Sequence, residues 1–125
     1  MLVSEQEIIE LKNFIFQLNS MENSVVVVEG KRDAIALKKL GYLGEILEFH
    51  RFGGMVNFTD SVAKYKNLII LFDRDKKGRH LTGKTIQLLQ RRTKVNLSYK
   101  RKLQEITKGK IMFIEQLVCY ESYLA

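Results

Sequence analysis

Hydrophobic positions along the chain follow two alternating rhythms. Over residues 5–19, Ile8, Leu11, Ile15 and Leu18 recur at spacings of three and four. That spacing lines one face of an α-helix, and Ser4 is placed to cap it. Val25-Val26-Val27-Val28 breaks the rhythm. Its β-branched side chains are apolar on both faces, as in a central parallel strand, and the run stops at Glu29-Gly30. Helical spacing returns over 32–40 through Ala34, Ile35, Leu37 and Leu40, and Gly41 ends that helix. A second strand is predicted over Glu45–Phe49, a loop over Arg51-Phe52-Gly53-Gly54 and a helix over Val56–Tyr65. Leu68–Phe72 is another fully apolar strand, followed by the polar segment Asp73–Arg79. A helix over Leu81–Gln90 and a short fourth strand over Val95–Leu97 come next. Residues 99–107 and 113–124 read as helices separated by Gly109. Strands alternating with helices from residue 25 to about 98 predict an α/β fold with a parallel sheet covered on both faces. With 125 residues, the expectation is one domain spanning 1–125.

Composition narrows the class. The longest apolar runs, Val25–Val28 and Leu68–Phe72, fall far short of the roughly 20 residues of a membrane-spanning helix. The opening Met1-Leu2-Val3-Ser4-Glu5 has an early acid and no basic-then-apolar tract, so no secretory signal is read. One cysteine, Cys119, excludes an internal disulfide and a cysteine-based zinc site, and beside Leu117 and Val118 it reads as a core filler. These features predict a cytoplasmic globular protein without a membrane partner.

The net charge of +7 is concentrated. Residues 91–110 hold eight basic side chains and one acidic one: Arg91, Arg92, Lys94, Lys100, Arg101, Lys102, Lys108 and Lys110 against Glu105. Such a density favours a polyanionic partner, or is a solvated face of a basic protein. Tyr99 within it is placed either to stack on a base or to pack at the edge of the core.

Sites in open α/β sheets form beyond the carboxyl ends of the strands. Here the two most apolar strands run into acids, Val28 into Glu29 and Phe72 into Asp73 and Asp75. In an extended segment, residues two apart project to one side, so neighbouring strands would bring three carboxylates to one rim. An oxygen-only cluster suits a hard divalent ion such as Mg²⁺ or Mn²⁺. Lys31, Arg32, Arg74, Lys76, Lys77 and Arg79 surround these acids, and both corners lead toward helix N-termini that attract phosphate. Acids for a metal bordered by cations for phosphate is a layout for phosphoryl transfer. The alternative is structural: Asp73 and Asp75 cap the following helix, and Glu29 pairs with Arg32.

Val25–Val28 followed by Glu29-Gly30-Lys31-Arg32-Asp33 resembles the first motif of the Toprim domain, an apolar strand and then Glu-Gly-x-x-Asp. Leu68–Phe72 followed by Asp73-Arg74-Asp75 resembles its second motif, Asp-x-Asp after an apolar strand. Arg51-Phe52-Gly53-Gly54 lies where the family has a glycine-containing loop. The resemblance covers about residues 24–98. It implies a four-stranded parallel sheet between helices, with an N-terminal helix and a helical C-terminus added here. It also implies Mg²⁺ at Asp73 and Asp75, with Glu29 as acid or base in phosphodiester chemistry; as a member of the carboxylate cluster, Glu29 is also a candidate ligand for Mg²⁺ (or Mn²⁺). Asp33 matches the acid of the first motif, although its place in a first helical turn also fits dipole complementarity. The compact form is similar to the nuclease that matures 5S ribosomal RNA and to short stand-alone archaeal Toprim proteins.

Two departures limit the reading. Topoisomerases continue the second motif to a third acid where this chain has Lys77, and primases carry modules that 125 residues cannot hold. A metal-dependent nuclease acting on nucleic acid, with structured RNA favoured over DNA, is the first reading. A non-catalytic nucleic-acid-binding subunit of a larger complex is the second. Lys31, Arg32, Lys76, Arg79, Arg91, Arg92, Lys100, Arg101 and Lys102 are the candidate phosphate and nucleic-acid contacts. His80 could assist proton transfer, and His50 has no evident partner. The C-terminal helix could pack on the sheet or on a second subunit, as in a homodimer.

Overall fold

A computed structural model describes residues 2–124. It contains a four-stranded parallel sheet of order β2-β1-β3-β4, built from β1 (Ser24–Val28), β2 (Ile46–Glu48), β3 (Asn67–Ile70) and β4 (Lys94–Asn96). The α/β expectation is met, and the six helices are α1 (Glu5–Ser20), α2 (Lys31–Lys39), α3 (Met55–Val62), α4 (Lys76–Leu89), α5 (Ser98–Ile106) and α6 (Glu121–Leu124). Ser4 caps α1 as predicted, its Oγ accepting the Glu7 N–H at 3.1 Å. Gly41 closes α2 at φ +103, a conformation L side chains resist.

The two faces of the sheet carry separate cores because successive strand residues point to opposite sides. Val26, Val28, Ile69 and Leu71 pack with α1, α2, α5 and the C-terminal segment. Val25, Val27, Leu68, Ile70 and Phe72 pack with Phe49, Phe58 and Val62, and with Leu81 and Leu89 of α4. Full burial of each valine of β1 stabilises the fold by about 1.5–3 kcal/mol, which explains a run with no polar face. From β1 the chain crosses to β2 on one side and later to β3 and β4 on the other. The gap between β1 and β3 is therefore the point where strand order reverses.

Three elements differ from expectation. The fourth helix starts at Lys76 rather than Leu81, because the Asp75 side chain caps it and its first turn is charged and shows no apolar rhythm. β2 ends at Glu48, and Phe49–Arg51 forms a 3₁₀ turn. The C-terminal segment is a 3₁₀ helix over Ile114–Tyr120 followed by the short α6. Three residues per turn put Ile114, Leu117 and Tyr120 on its buried side and turn Cys119 outward. Cys119 is thus exposed, not a core filler. Tyr99 belongs to the core, edge-on to Phe14 with ring centroids 5.7 Å apart. No described helix is long and apolar enough to cross a membrane.

Candidate metal centre

β1 and β3 are direct neighbours, so the residues that follow them meet at the carboxyl edge of the sheet. Glu29, Asp73 and Asp75 each bring a carboxylate oxygen to within 4.8 Å of the other two. Each carboxylate also holds one oxygen on a backbone N–H. Glu29 Oε2 accepts from Asp73 at 2.8 Å, Asp73 Oδ1 from Ile114 at 2.7 Å, and Asp75 Oδ1 from Gly78 at 2.8 Å. These bonds fix one oxygen of each carboxylate, and Glu29 and Asp73 are close enough for their side chains to share a proton when no metal is bound. Asp75 therefore both caps α4 and faces the cluster, so the two readings of that residue are compatible. Gly78 is needed at this corner, because a Cβ there would overlap the Asp73 carbonyl.

No Lys or Arg forms an ion pair with any of the three acids among the described residues; Arg32 lies 4.0 Å from Glu115 instead, so the Glu29–Arg32 pairing does not occur. Glu29 is 5% exposed. Burial pushes its carboxyl up to about 7, the Asp73 N–H pulls against that, and the charges of Asp73 and Asp75 add to it. Hard oxygen donors, fixed and mutually repelling, fit a divalent cation.

Asp33 lies outside the trio of converging carboxylates but lines the same cavity. Its Oδ2 accepts the Gly30 N–H at 3.2 Å and its Oδ1 the Glu115 N–H at 3.2 Å, which makes it a latch between α2 and the C-terminal segment. Burial raises it to about 6, with the charge of Asp73 adding to the shift.

The cavity over the acids, about 400 Å³, is lined by Lys31, Arg32 and Lys77 together with His50 and Glu115. The last two escaped sequence reasoning. For His50 the signal was present: Val28 pairs with Glu48 in parallel register, which sets His50 beside Gly30, and its N–H donates to the Glu29 carbonyl at 3.0 Å. For Glu115 there was none, since 82 residues separate it from the Asp33 that it contacts.

The basic run 91–110 does not form one face. Arg91 and Arg92 follow the end of α4 and precede β4, which places them at the opposite edge of the sheet, and Arg92 pairs with Asp60 at 3.2 Å. Lys102 lies over the Tyr99 ring and donates to Gln17 of α1 at 3.2 Å. Lys110 pairs with Glu7 at 2.8 Å. Arg101 is exposed on α5, while Lys100 is half-buried and donates to Thr82 Oγ1 of α4 at 3.3 Å. Lys76 and Arg79 are exposed in the first turn of α4, next to the cluster. Arg74 serves the fold: its guanidinium donates to the carbonyls of Gly109 and Ile111 at 3.3 and 3.2 Å.

A four-stranded parallel sheet with Glu29 after one central strand and Asp73-x-Asp75 after its neighbour defines a class, and the Toprim domain family model matches residues 24–114. The chain belongs to the Toprim domain family, and within it to the UPF0292 proteins. The match reaches the residue whose N–H holds Asp73, beyond the boundary near 98 expected from sequence. The UPF0292 protein of Thermococcus sibiricus is 38% identical over 103 residues, covering 82% of this chain and 79% of the relative. That of Methanosarcina acetivorans is 33% identical over 122 residues, covering 96% and 81%. A solved structure of an Aquifex aeolicus protein superposes with a TM-score of 0.69 at 26% identity, covering 85% of this chain and 96% of its own. Membership and the acidic cluster together give a nucleic-acid-related, divalent-metal-binding function.

Proposed function

We propose that the chain is a metal-dependent phosphodiesterase that cleaves nucleic acid, with structured RNA as the favoured substrate. The observation that carries this reading is the convergence of three fixed carboxylates where strand order reverses. Asp73, Asp75 and Glu29 would hold Mg²⁺ or Mn²⁺, which supplies Lewis-acid polarisation of a phosphoryl oxygen and an acidified water. Glu29, buried at the rim beside Asp73 and Asp75, would either hold the ion or take and return a proton at its carboxylate. Lys31, Arg32 and Lys77 line the opening and would bind flanking phosphates.

Lys77 also supports a second reading. It lines the cavity where topoisomerases carry a third acid, and a site with fewer acids and an added cation suits docking without turnover. The deciding experiment is a cleavage assay with Mg²⁺ or Mn²⁺ on matched structured RNA, single-stranded DNA and duplex DNA. Metal-dependent products absent from Glu29→Gln and Asp73→Asn establish the nuclease. Tight binding without products across the panel establishes the docking subunit.

A further inference from the structure

Lys100 is a half-buried cation that no described carboxylate neutralises within ion-pair distance. It stands in the first turn of α5, just past the carboxyl end of β4, which neighbours β3. Its ammonium donates to Thr82 Oγ1 at 3.3 Å. The Thr82 hydroxyl spends its single proton on the Gly78 carbonyl at 2.8 Å, so toward Lys100 it is an acceptor only. Gly78 in turn donates its N–H to Asp75 Oδ1 at 2.8 Å. The lysine head is thus held in register with the acid cluster through Thr82 and Gly78. One protein acceptor serves a group with three donors.

Other cations of the same basic run are engaged elsewhere: Lys110 on Glu7, Arg92 on Asp60 and Lys102 on Tyr99. Lysines are rarely buried without a partner, because desolvating an ammonium is costly. Here burial disfavours the charged ammonium, the charges of Glu29 and Asp73 favour it, and those of Arg74 and Arg79 oppose it. An anion between Lys100 and the acid cluster would supply the missing partner.

We propose that Lys100 binds a phosphoryl oxygen of the substrate, opposite the acid cluster, with Thr82 as its positioning residue. The inference rests on the phosphodiester reading above. The shared chemistry is a phosphate oxyanion, carried either by a polynucleotide backbone or by a small phosphate.

The test compares wild type, Lys100→Met, Lys100→Arg and Thr82→Val as full chains. Mn²⁺-loaded protein is titrated with inorganic phosphate and read by ³¹P relaxation, and Ca²⁺-loaded protein with an RNA oligonucleotide, read by anisotropy across a salt series. Lys100→Met should weaken phosphate binding about tenfold or more and lower the RNA salt slope by about one. Lys100→Arg should keep most of both, and Thr82→Val should fall between. Mn²⁺ affinity should not weaken in Lys100→Met, and its urea midpoint should equal or exceed that of wild type, because a desolvated charge is removed. Unchanged phosphate and RNA binding in Lys100→Met overturns the inference and leaves the nuclease reading intact. A Lys100→Met protein less stable than wild type, with Mn²⁺ binding lost as well, also overturns it by showing a structural role. Phosphate binding that depends on Lys100, with no RNA or DNA binding by wild type, supports the inference and overturns the nucleic-acid reading. Wild type that binds neither phosphate nor oligonucleotide overturns both.

Discussion

Glu7 and Glu29 are both buried glutamates, 3% and 5% exposed, yet their surroundings act in opposite directions. Glu7 sits in the first turn of α1 and receives Lys110 Nζ at 2.8 Å on both oxygens and the Tyr120 hydroxyl at 3.0 Å. Burial pushes its carboxyl up, but Lys110 and Tyr120 outweigh that and hold it below the ordinary range. Glu29 has two acids for neighbours and is raised to about 7. One carboxylate carries its counterion within the chain and ties the N-terminal helix to the C-terminal segment. The other is held by one backbone bond among neighbouring acids, an arrangement that could hold a cation from outside. The difference separates a structural acid from one suited to a metal, although both are buried to nearly the same extent.

The largest effect that could break this comparison is on stability. Lys110→Met strands a buried charge and should cost roughly 3 kcal/mol, read as a lower urea midpoint. Adding Glu7→Gln should recover part of that loss, since the stranded charge is then gone. Lys110→Met as stable as wild type would remove the structural half of the comparison. Next in size is the response to metal. Mn²⁺ at about 100 times its dissociation constant should stabilise wild type by about 2.7 kcal/mol, and Asp73→Asn should abolish the shift. A thermal midpoint that rises equally in both would contradict the site.

The effect of pH has opposite signs at the two glutamates. Metal-free folded protein keeps a proton on Glu29 that the unfolded chain releases between 4.5 and about 7, so its contribution to stability falls as pH rises through that window. Glu7 has a lowered value, so its contribution is present above the ordinary carboxylate range and is lost as pH falls through the lowered value. Urea midpoints across pH should show Glu29→Gln flattening the first trend and Glu7→Gln the second. Saturating metal should reverse the Glu29 trend, because protons then compete with the ion. On metal-free stability near pH 8, Glu29→Gln should raise the thermal midpoint, because the charged form it removes is the disfavoured one there.

What could be read in the sequence was whatever is local. Val25–Val28 and Leu68–Phe72 announce central strands by being apolar on both faces, and the acids after them lie within three residues of each strand end. Their meeting follows from strand adjacency, which the paired motifs imply. The start of α4 was hidden because Lys76–His80 carries charge where an apolar rhythm would mark a helix. The C-terminal segment is helical as expected, but Ile114, Leu117 and Tyr120 fit a three-residue repeat as well as a longer one, so its 3₁₀ geometry was not legible. Its role at the site was illegible for a further reason. It holds Asp73 and Asp33 by the backbone N–H groups of Ile114 and Glu115, and every residue but proline carries that donor. The basic run suggested one surface, but its members lie on a helix end, a strand and a short helix that face different ways.

The central claim is that Glu29, Asp73 and Asp75 form a centre requiring a divalent cation, and a Mn²⁺ titration followed by electron paramagnetic resonance at pH 7.5 tests it most directly. Wild type and Glu7→Gln should each show saturable binding of similar affinity, with Asp73→Asn and Asp75→Asn weakened about tenfold or more. Equal affinity in Asp73→Asn and wild type, or no saturable binding in wild type, would contradict it.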